Sequence, residues 1–248
     1  MSRVPLILVA TLLSGVAVPA DAADAKKPAV AKKSKKKTKK KAKDDRRVTK
    51  STKANMPRGF AWPPSRNMEA MADQCEEQLD EIGVGHQPAK ETGRVVRPMK
   101  PDAEINGVTY TAVYSKNQTF DCQLVLALAT FAPTLSELGV REVRFGSAFR
   151  WSKVRVGGKT KNMLSRHGLG IALDIVSFVD ADGTDHNVKH DYKRGDELLH
   201  KIEKAVNESG TFRLLLTPKN DPISHSDHFH LEANPDYTEK VGEDRPAS

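Results

Sequence analysis

Apolar residues recur at three- and four-residue spacing from Asn67 to Ile82, which predicts an amphipathic helix carrying Cys75. Val108 to Tyr114 alternates apolar and polar positions as a strand does. Asp121 stands where a helix N-cap belongs, and the apolar run from Cys122 to Leu138 reads as a helix that Gly139 closes. Val143 to Phe149 predicts a second strand, after which a basic, Gly-rich loop extends to Leu164. Gly170 to Phe178 is a β-branched strand, and Asp182-Gly183 signals a turn. Asp196 to Ser209 has helical spacing, with Leu199 and Val206 as core positions. Phe212 to Leu216 and Asp227 to Glu232 complete the strands. No internal repeat interrupts this order. The elements mix without a regular strand–helix–strand alternation, so the predicted class is α+β, a small antiparallel sheet with helices packed on it.

Upstream of these elements the pattern changes. Arg3 is followed by an apolar stretch from Val4 to Val18, then by Ala20-Asp21-Ala22, a small-x-small cleavage pattern. Residues 1–22 therefore read as a secretory signal peptide, the alternative being an uncleaved N-terminal anchor. No cysteine lies near the cleavage site, so no lipid anchor is expected. No apolar run reaches the ~18–20 residues of a membrane span, which excludes an integral multi-span protein and leaves no span after signal cleavage. Residues 23–53 are Lys-rich and too polar to bury a core, and are expected to be disordered. The domain is expected to occupy residues 54–248.

Charge follows the same division. The chain of 248 residues carries a formal net charge of +8. Residues 26–53 hold thirteen Lys and two Arg against Asp44 and Asp45, whereas the remainder from Ala54 has 24 basic and 28 acidic residues. The bulk charge suggests a nucleic-acid binder, but the basic residues are confined to the tail and lack interleaved aromatics, so no nucleic-acid partner is expected. The tail is either a solvated tether or, through residues 24–53, an electrostatic attachment to anionic envelope polymers.

Export to the periplasm, cell envelope or exterior sets an oxidising context. Cys75 and Cys122 are the only two cysteines, so a disulfide between them is favoured over two buried free thiols. Closing a loop of that length contributes about 4 kcal/mol on the chain-entropy estimate.

Seven of the eight histidines lie between His167 and His230. Two segments stand out, SRHGLGIALDI (Ser165–Ile175) and HSDHFHLE (His225–Glu232). On a strand, His228 and His230 emerge on one face about 7 Å apart, which suits one metal ligand and one neighbour. Asp174 is a carboxylate within an otherwise apolar strand, where an unpaired charge is costly and a cation would offset the cost. Gly168 and Gly170 let the chain turn so that His167 can fold back towards Asp174. Two imidazoles, one carboxylate and an open fourth position form the ligand set of a catalytic zinc site. The alternative is that His167 and Asp174 pair with each other in the core.

SRHGLGIALDI resembles the S-x-H-x-x-G-x-A-x-D signature of the zinc peptidases that include D-Ala-D-Ala carboxypeptidases, lysostaphin relatives and penicillin-insensitive murein endopeptidases. HSDHFHLE is similar to their terminal H-x-H strand. More narrowly, the region from Cys75 to Asn234 resembles the bacterial extensin-like C-terminal domain family. The likeness lies in an opening cysteine, DCQLVLALATF with its second cysteine, GSAFR, SFVDADG and the H-x-x-H-x-H ending. It implies a Hedgehog/D-Ala-D-Ala-peptidase-like fold, with Zn2+ bound by His167, Asp174 and His230 and His228 beside the metal water. Members of the family usually carry two further cysteines near the positions of Phe149 and Phe212; aromatics are expected to fill that place here.

From these readings follows an expectation of function, an exported zinc-dependent peptidase acting on peptidoglycan peptides. His228 is the expected general base and returns the proton to the departing amine. Arg150, which resembles an arginine of the family, is expected to hold a substrate carboxylate or the developing oxyanion, with a solvated loop cation as the alternative. His225 is a second candidate for oxyanion contact, or else a loop histidine. Asp227 occupies a place comparable to the Glu base of the carboxypeptidase branch, but strand parity turns it away from His230. Ser165 is expected to brace the loop of His167 rather than act as a nucleophile. His86, His186, His190 and His200 read as surface or satisfied residues. The competing class is a non-catalytic cell-wall-binding or structural protein that retains the metal motif.

Overall fold

The computed structural model describes residues 55–115 and 118–241. The expected signal peptide and Lys-rich tail lie outside the described residues. Among the described residues, four α-helices, α1 (Arg66–Glu81), α2 (Cys122–Glu137), α3 (Val188–Asp191) and α4 (Glu197–Ser209), accompany twelve strands. The strands form three sheets, and the fold is α+β as the mixed element order predicts.

The main sheet has seven strands: β3 (Glu104–Ile105), β4 (Val108–Ala112), β6 (Val140–Ser147), β9 (Ala172–Asp180), β10 (Asp185–Asn187), β11 (Phe212–Leu216) and β12 (Phe229–Ala233). Its order is β11-β12-β9-β6-β4-β3, with β10 pairing on β9. All pairings are antiparallel except β4 with β6. That one parallel pair follows from chain direction, because α2 lies between the two strands as a crossover. A second sheet joins β1 (His86–Pro88), β2 (Pro98–Pro101) and β5 (Phe120–Asp121), and a separate hairpin joins β7 (Lys153–Val156) and β8 (Lys159–Leu164).

The core lies between the main sheet and the helices. From α2, Leu124, Val125, Leu128, Phe131, Ala132 and Leu135 are buried, and from α4, Leu199, Ile202 and Val206. Asp121 caps α2 by accepting the Gln123 N–H at 3.0 Å, and its other oxygen accepts the N–H groups of Val96 and Arg97. Cys75 on α1 is bonded to Cys122 at the start of α2, with Cα atoms 6.1 Å apart. Arg97 pairs with Glu76 and Asp73 on α1, so the small sheet is tied to the same corner. No helix among the described residues is long and apolar enough to cross a membrane.

Three local expectations are corrected. The Gly-rich loop to Leu164 is instead the β7–β8 hairpin, turning through Gly157 and Gly158 at φ +55° and +76°. Both turn residues take positive φ, which a tight two-residue hairpin demands and glycine supplies. Val154 and Val156 alternate with Lys153 and Arg155, but the strand has only four residues and β8 opens on four exposed residues, Lys159 to Asn162, so the alternation is short and one-sided. The strand preceding it begins at Val140 rather than Val143, directly after Gly139 ends α2 at φ +89°. Phe149 and Phe212 do not share a site: Phe212 packs edge-on against Phe131, Phe149 lies close to Gly93, and the two rings make no contact with each other among the described residues. His186 is satisfied, its ring nitrogens 2.8 Å from Asp196 and 3.1 Å from Asp180.

The disulfide closes a separation of 47 residues and joins the two helices at that corner. Reducing it, or replacing both cysteines by serine, is expected to lower unfolding stability by about 4 kcal/mol. Urea denaturation with and without reductant measures the difference.

Candidate metal centre

The site is built by strand register. Asp174 on β9 sits directly opposite His230 on β12 and, on its other side, opposite Ser147 on β6. Directly opposed residues place their Cβ atoms about 4.5–5.5 Å apart, so the fold delivers one histidine to the carboxylate without any special loop. His167 arrives from the turn that precedes β9, a short 3₁₀ helix over Arg166–Leu169. Ser165 caps that turn by accepting the His167 N–H at 3.4 Å, and Gly170 closes it at φ +69°. A Cβ at Gly170 would also stand 2.9 Å from the Asp121 nitrogen, so only glycine fits there.

Three side-chain atoms converge in the buried pocket so formed. His167 Nε2 lies 3.0 Å from Asp174 Oδ1, His230 Nδ1 lies 2.9 Å from the same oxygen, and the two imidazole nitrogens are 3.2 Å apart. His167 is fully buried, while Asp174 and His230 retain about one-twentieth of their exposure. Among the described residues, these three form the group whose geometry could hold a metal ion.

The surroundings decide which ring nitrogen carries a proton. His167 Nδ1–H donates to the Ala148 carbonyl at 2.8 Å, leaving a lone pair on Nε2. His230 Nε2–H donates to Glu232 Oε1 at 3.1 Å, which turns Nδ1 towards Asp174 Oδ1 and His167 Nε2. His228 Nδ1–H donates to Asp227 Oδ1 at 2.7 Å, and its buried Nε2 has no hydrogen-bond partner but stands 3.6 Å from Asp174 Oδ1. Ser147 Oγ–H and the Arg150 guanidinium occupy Asp174 Oδ2, each at 3.0 Å, so Oδ1 is the oxygen left facing the histidines. A proton on His230 Nδ1 can bridge these atoms, and a divalent cation in its place would be ligated by His167 Nε2, His230 Nδ1 and Asp174 Oδ1 together. The residues present fit a divalent metal bound by two imidazoles and one carboxylate oxygen, each braced from behind.

Electrostatics favours a proton on His230 Nδ1 as well as on Nε2, so a metal at this nitrogen would have to displace that proton. Burial opposes charge on Asp174, but His167 and His230 hold its carboxyl well below the usual range. Burial pushes the His167 imidazole down, against the pull of Asp174. Burial also acts against His230⁺, yet Asp174 and Glu232 outweigh it and raise the group to about 9. Glu232 is itself buried and is kept ionised by His230, Arg166 and Arg213. His225 is buried, its Nδ1–H donating to Asp221 Oδ2 at 3.0 Å, and burial together with the neighbouring His230 and His228 lowers it to about 4. Its ring centre is 5.0 Å from that of His228 and 5.2 Å from that of His230.

All of the site residues expected from sequence thus meet in one place. His167, Asp174 and His230 form its buried floor, and Arg150, half exposed, reaches Asp174 from the solvent side. His228 and His225 line the wall above His230. Asp227 is exposed and touches the site only through His228. Three supporting residues escape the sequence reading: Glu232, Ser147 and Asp221. Glu232 was accessible, since it shares the two-residue period of His228 and His230. Asp221 lies four residues before His225, a spacing without a rule in a loop, and Ser147 is placed only by the β6–β9 register.

An α+β domain carrying a buried, braced pair of histidines and one carboxylate defines the class of site. Residues 73–241 match the family described as the extensin-like protein C-terminus, and the chain belongs to that family. No match was found among curated proteins or among solved structures.

Glu232→Gln keeps the shape at position 232 but removes the charge behind His230. It is expected to weaken divalent-metal affinity 10- to 100-fold, the usual cost of losing such a brace. Competition with a chromophoric chelator measures this; an unchanged affinity contradicts the role given to Glu232.

Proposed function

We propose that the chain is an exported zinc-dependent peptidase that hydrolyses amide bonds of peptidoglycan stem peptides or cross-links. The observation that carries the proposal is the buried Nε2 of His228, which has no hydrogen-bond partner and stands 3.6 Å from Asp174 Oδ1, beside the His167–Asp174–His230 group. A closed structural site has no use for a base so placed. Resemblance of the two histidine segments to zinc peptidases supports the same reading, and the Cys75–Cys122 bond fits an oxidising compartment.

Held by these three ligands, Zn2+ would supply Lewis-acid chemistry and make water nucleophilic near neutral pH. The protein's own groups do the rest. His228 accepts the proton of the attacking water at Nε2, with Asp227 fixing the tautomer that exposes that lone pair. The same nitrogen then delivers the proton to the departing amine. Arg150 is anchored on Asp174 with half of its side chain in solvent, so its remaining N–H groups can hold a substrate carboxylate or the developing oxyanion. His225 is neutral and spends its only N–H on Asp221, so it offers substrate an acceptor rather than a donor. Outside the described residues, the lysines of 24–53 would hold the enzyme on anionic envelope polymers. Deleting them is expected to abolish the salt-sensitive part of retention on purified sacculi; retention unchanged by the deletion contradicts that role.

The direct test is incubation of the mature, zinc-loaded protein with muropeptides and mass spectrometry of the products. Cleavage is expected, abolished by chelator. His228→Ala is expected to lower kcat by about 10²- to 10⁴-fold, the typical worth of general acid–base catalysis, while the metal stays bound. His167→Ala is expected to lose metal and activity together. No cleavage of any muropeptide by the zinc-loaded protein overturns the enzyme reading in favour of wall binding without turnover.

A further inference from the structure

Between Trp151 and Leu173 the chain contains no acidic residue, although the sequence from Ala54 onward is net acidic. Two cations bordering or within this stretch are neutralised, Arg150 by Asp174 and Arg166 by Glu232. The other four, Lys153, Arg155, Lys159 and Lys161, are exposed on the β7–β8 hairpin and have no ion-pair partner among the described residues. Arg155 opposes Thr160 and Val156 opposes Lys159. Arg155 therefore shares a face with Thr160 and Lys159 leaves the opposite one with Val156, while the ladder shifts register between Lys153 and Arg155, so the charges are spread around the arm.

A two-stranded hairpin with both faces in solvent is marginal by itself. This one is anchored at both ends to the walls of the metal centre. At its base the Ser165 N–H donates to the Ser152 carbonyl at 2.9 Å, and the Arg150 N–H to that of His167 at 3.4 Å. At its tip the Gly158 N–H donates to Ser224 Oγ at 3.1 Å, one residue before His225. The arm therefore runs from the His167 turn to the His225 loop, and Trp151, 42 % exposed, stands at its root beside Arg150. Four uncompensated positive charges held in that frame attract anions towards the open side of the site. Lysine and arginine bind carboxylates through charge-assisted hydrogen bonds.

We propose that hairpin β7–β8 is a recognition arm that binds the carboxylates of an acidic peptide and lays it across the metal centre. The inference rests on the peptidase reading and narrows its substrates to acidic stem peptides over neutral ones. Edge lysines can also guard a strand against pairing with another chain. That role predicts self-association after neutralisation and no change in ligand binding, so the two are separable.

The test uses the full-length, zinc-loaded protein with two probes, a stem peptide with free carboxylates and the same peptide fully amidated. Carbodiimide coupling of peptide carboxylates to lysine amines, mapped by mass spectrometry, reads binding without requiring turnover. Coupling concentrated on Lys153, Lys159 and Lys161 supports the arm. Lys153→Gln with Arg155→Gln, and separately Lys159→Gln with Lys161→Gln, are expected to raise KM for the acidic peptide about threefold or more each, the scale of partly screened pairs. The kcat for that peptide and both constants for the amidated one should stay unchanged. Coupling confined to residues 26–53, equal effects on both peptides, or variants that only self-associate each overturn the proposal. So does an oligonucleotide that displaces the peptide from the arm at lower concentration than free peptide does. Hairpin coupling without cleavage of either peptide supports the arm and fails the peptidase reading instead.

Discussion

An ionised carboxylate in the middle of a buried sheet is tolerated only where something of opposite charge meets it, and Asp174 imposes that condition on the surrounding structure. One oxygen is satisfied by Ser147 and Arg150; the other faces two imidazoles whose remaining protons are committed to Ala148 and Glu232. The hydrogen available between them is that of His230 Nδ1, shared by Asp174 Oδ1 and His167 Nε2. A divalent cation could take its place, and the buried polar residues nearby keep the three atoms aimed at one point.

That requirement propagates outward through strand register. A one-residue slip of β12 against β9 would turn His230 to the other face, so the pairing of Phe229–Glu232 with Ala172–Ile175 is as much a part of the site as the ligands. Glu232, two residues beyond His230, is buried because it must stand behind it, and Arg166 and Arg213 in turn neutralise Glu232. Arg166 directly precedes His167, so the network joins the turn before β9 to the last strand. Helices α2 and α4 pack against Ile175, Phe229 and Leu231, the sheet face opposite to Asp174 and His230, and so hold the strands in register from behind the site.

Much of this was legible in the amino-acid sequence. The α1, α2 and α4 helices follow from apolar spacing, and Asp121, Asp196 and Gly139 mark their ends as caps and stops should. Asp174 drew attention because a charge interrupts an apolar strand, and the histidines because they crowd into two short segments. What escaped has physical causes. The small sheet uses strands of two to four residues that include Pro88, Pro98 and Pro101, too short and too proline-rich to carry an alternating signature. The β7–β8 hairpin shows alternation only in the four residues Lys153 to Val156, and β8 begins with exposed polar residues that break the pattern. Ser147 and Asp221 act through pairings distant in sequence, which no local pattern records.

What occupies the His167–Asp174–His230 group decides the chemistry open to this domain. Zinc-edge X-ray absorption on the loaded full-length protein measures it most directly. The predicted first shell is two imidazole nitrogens and light oxygen donors at about 2.0–2.2 Å, with no sulfur and one zinc per chain. A shell lacking imidazole scattering, or zinc bound only in substoichiometric and heterogeneous fashion, would contradict the assignment of the centre.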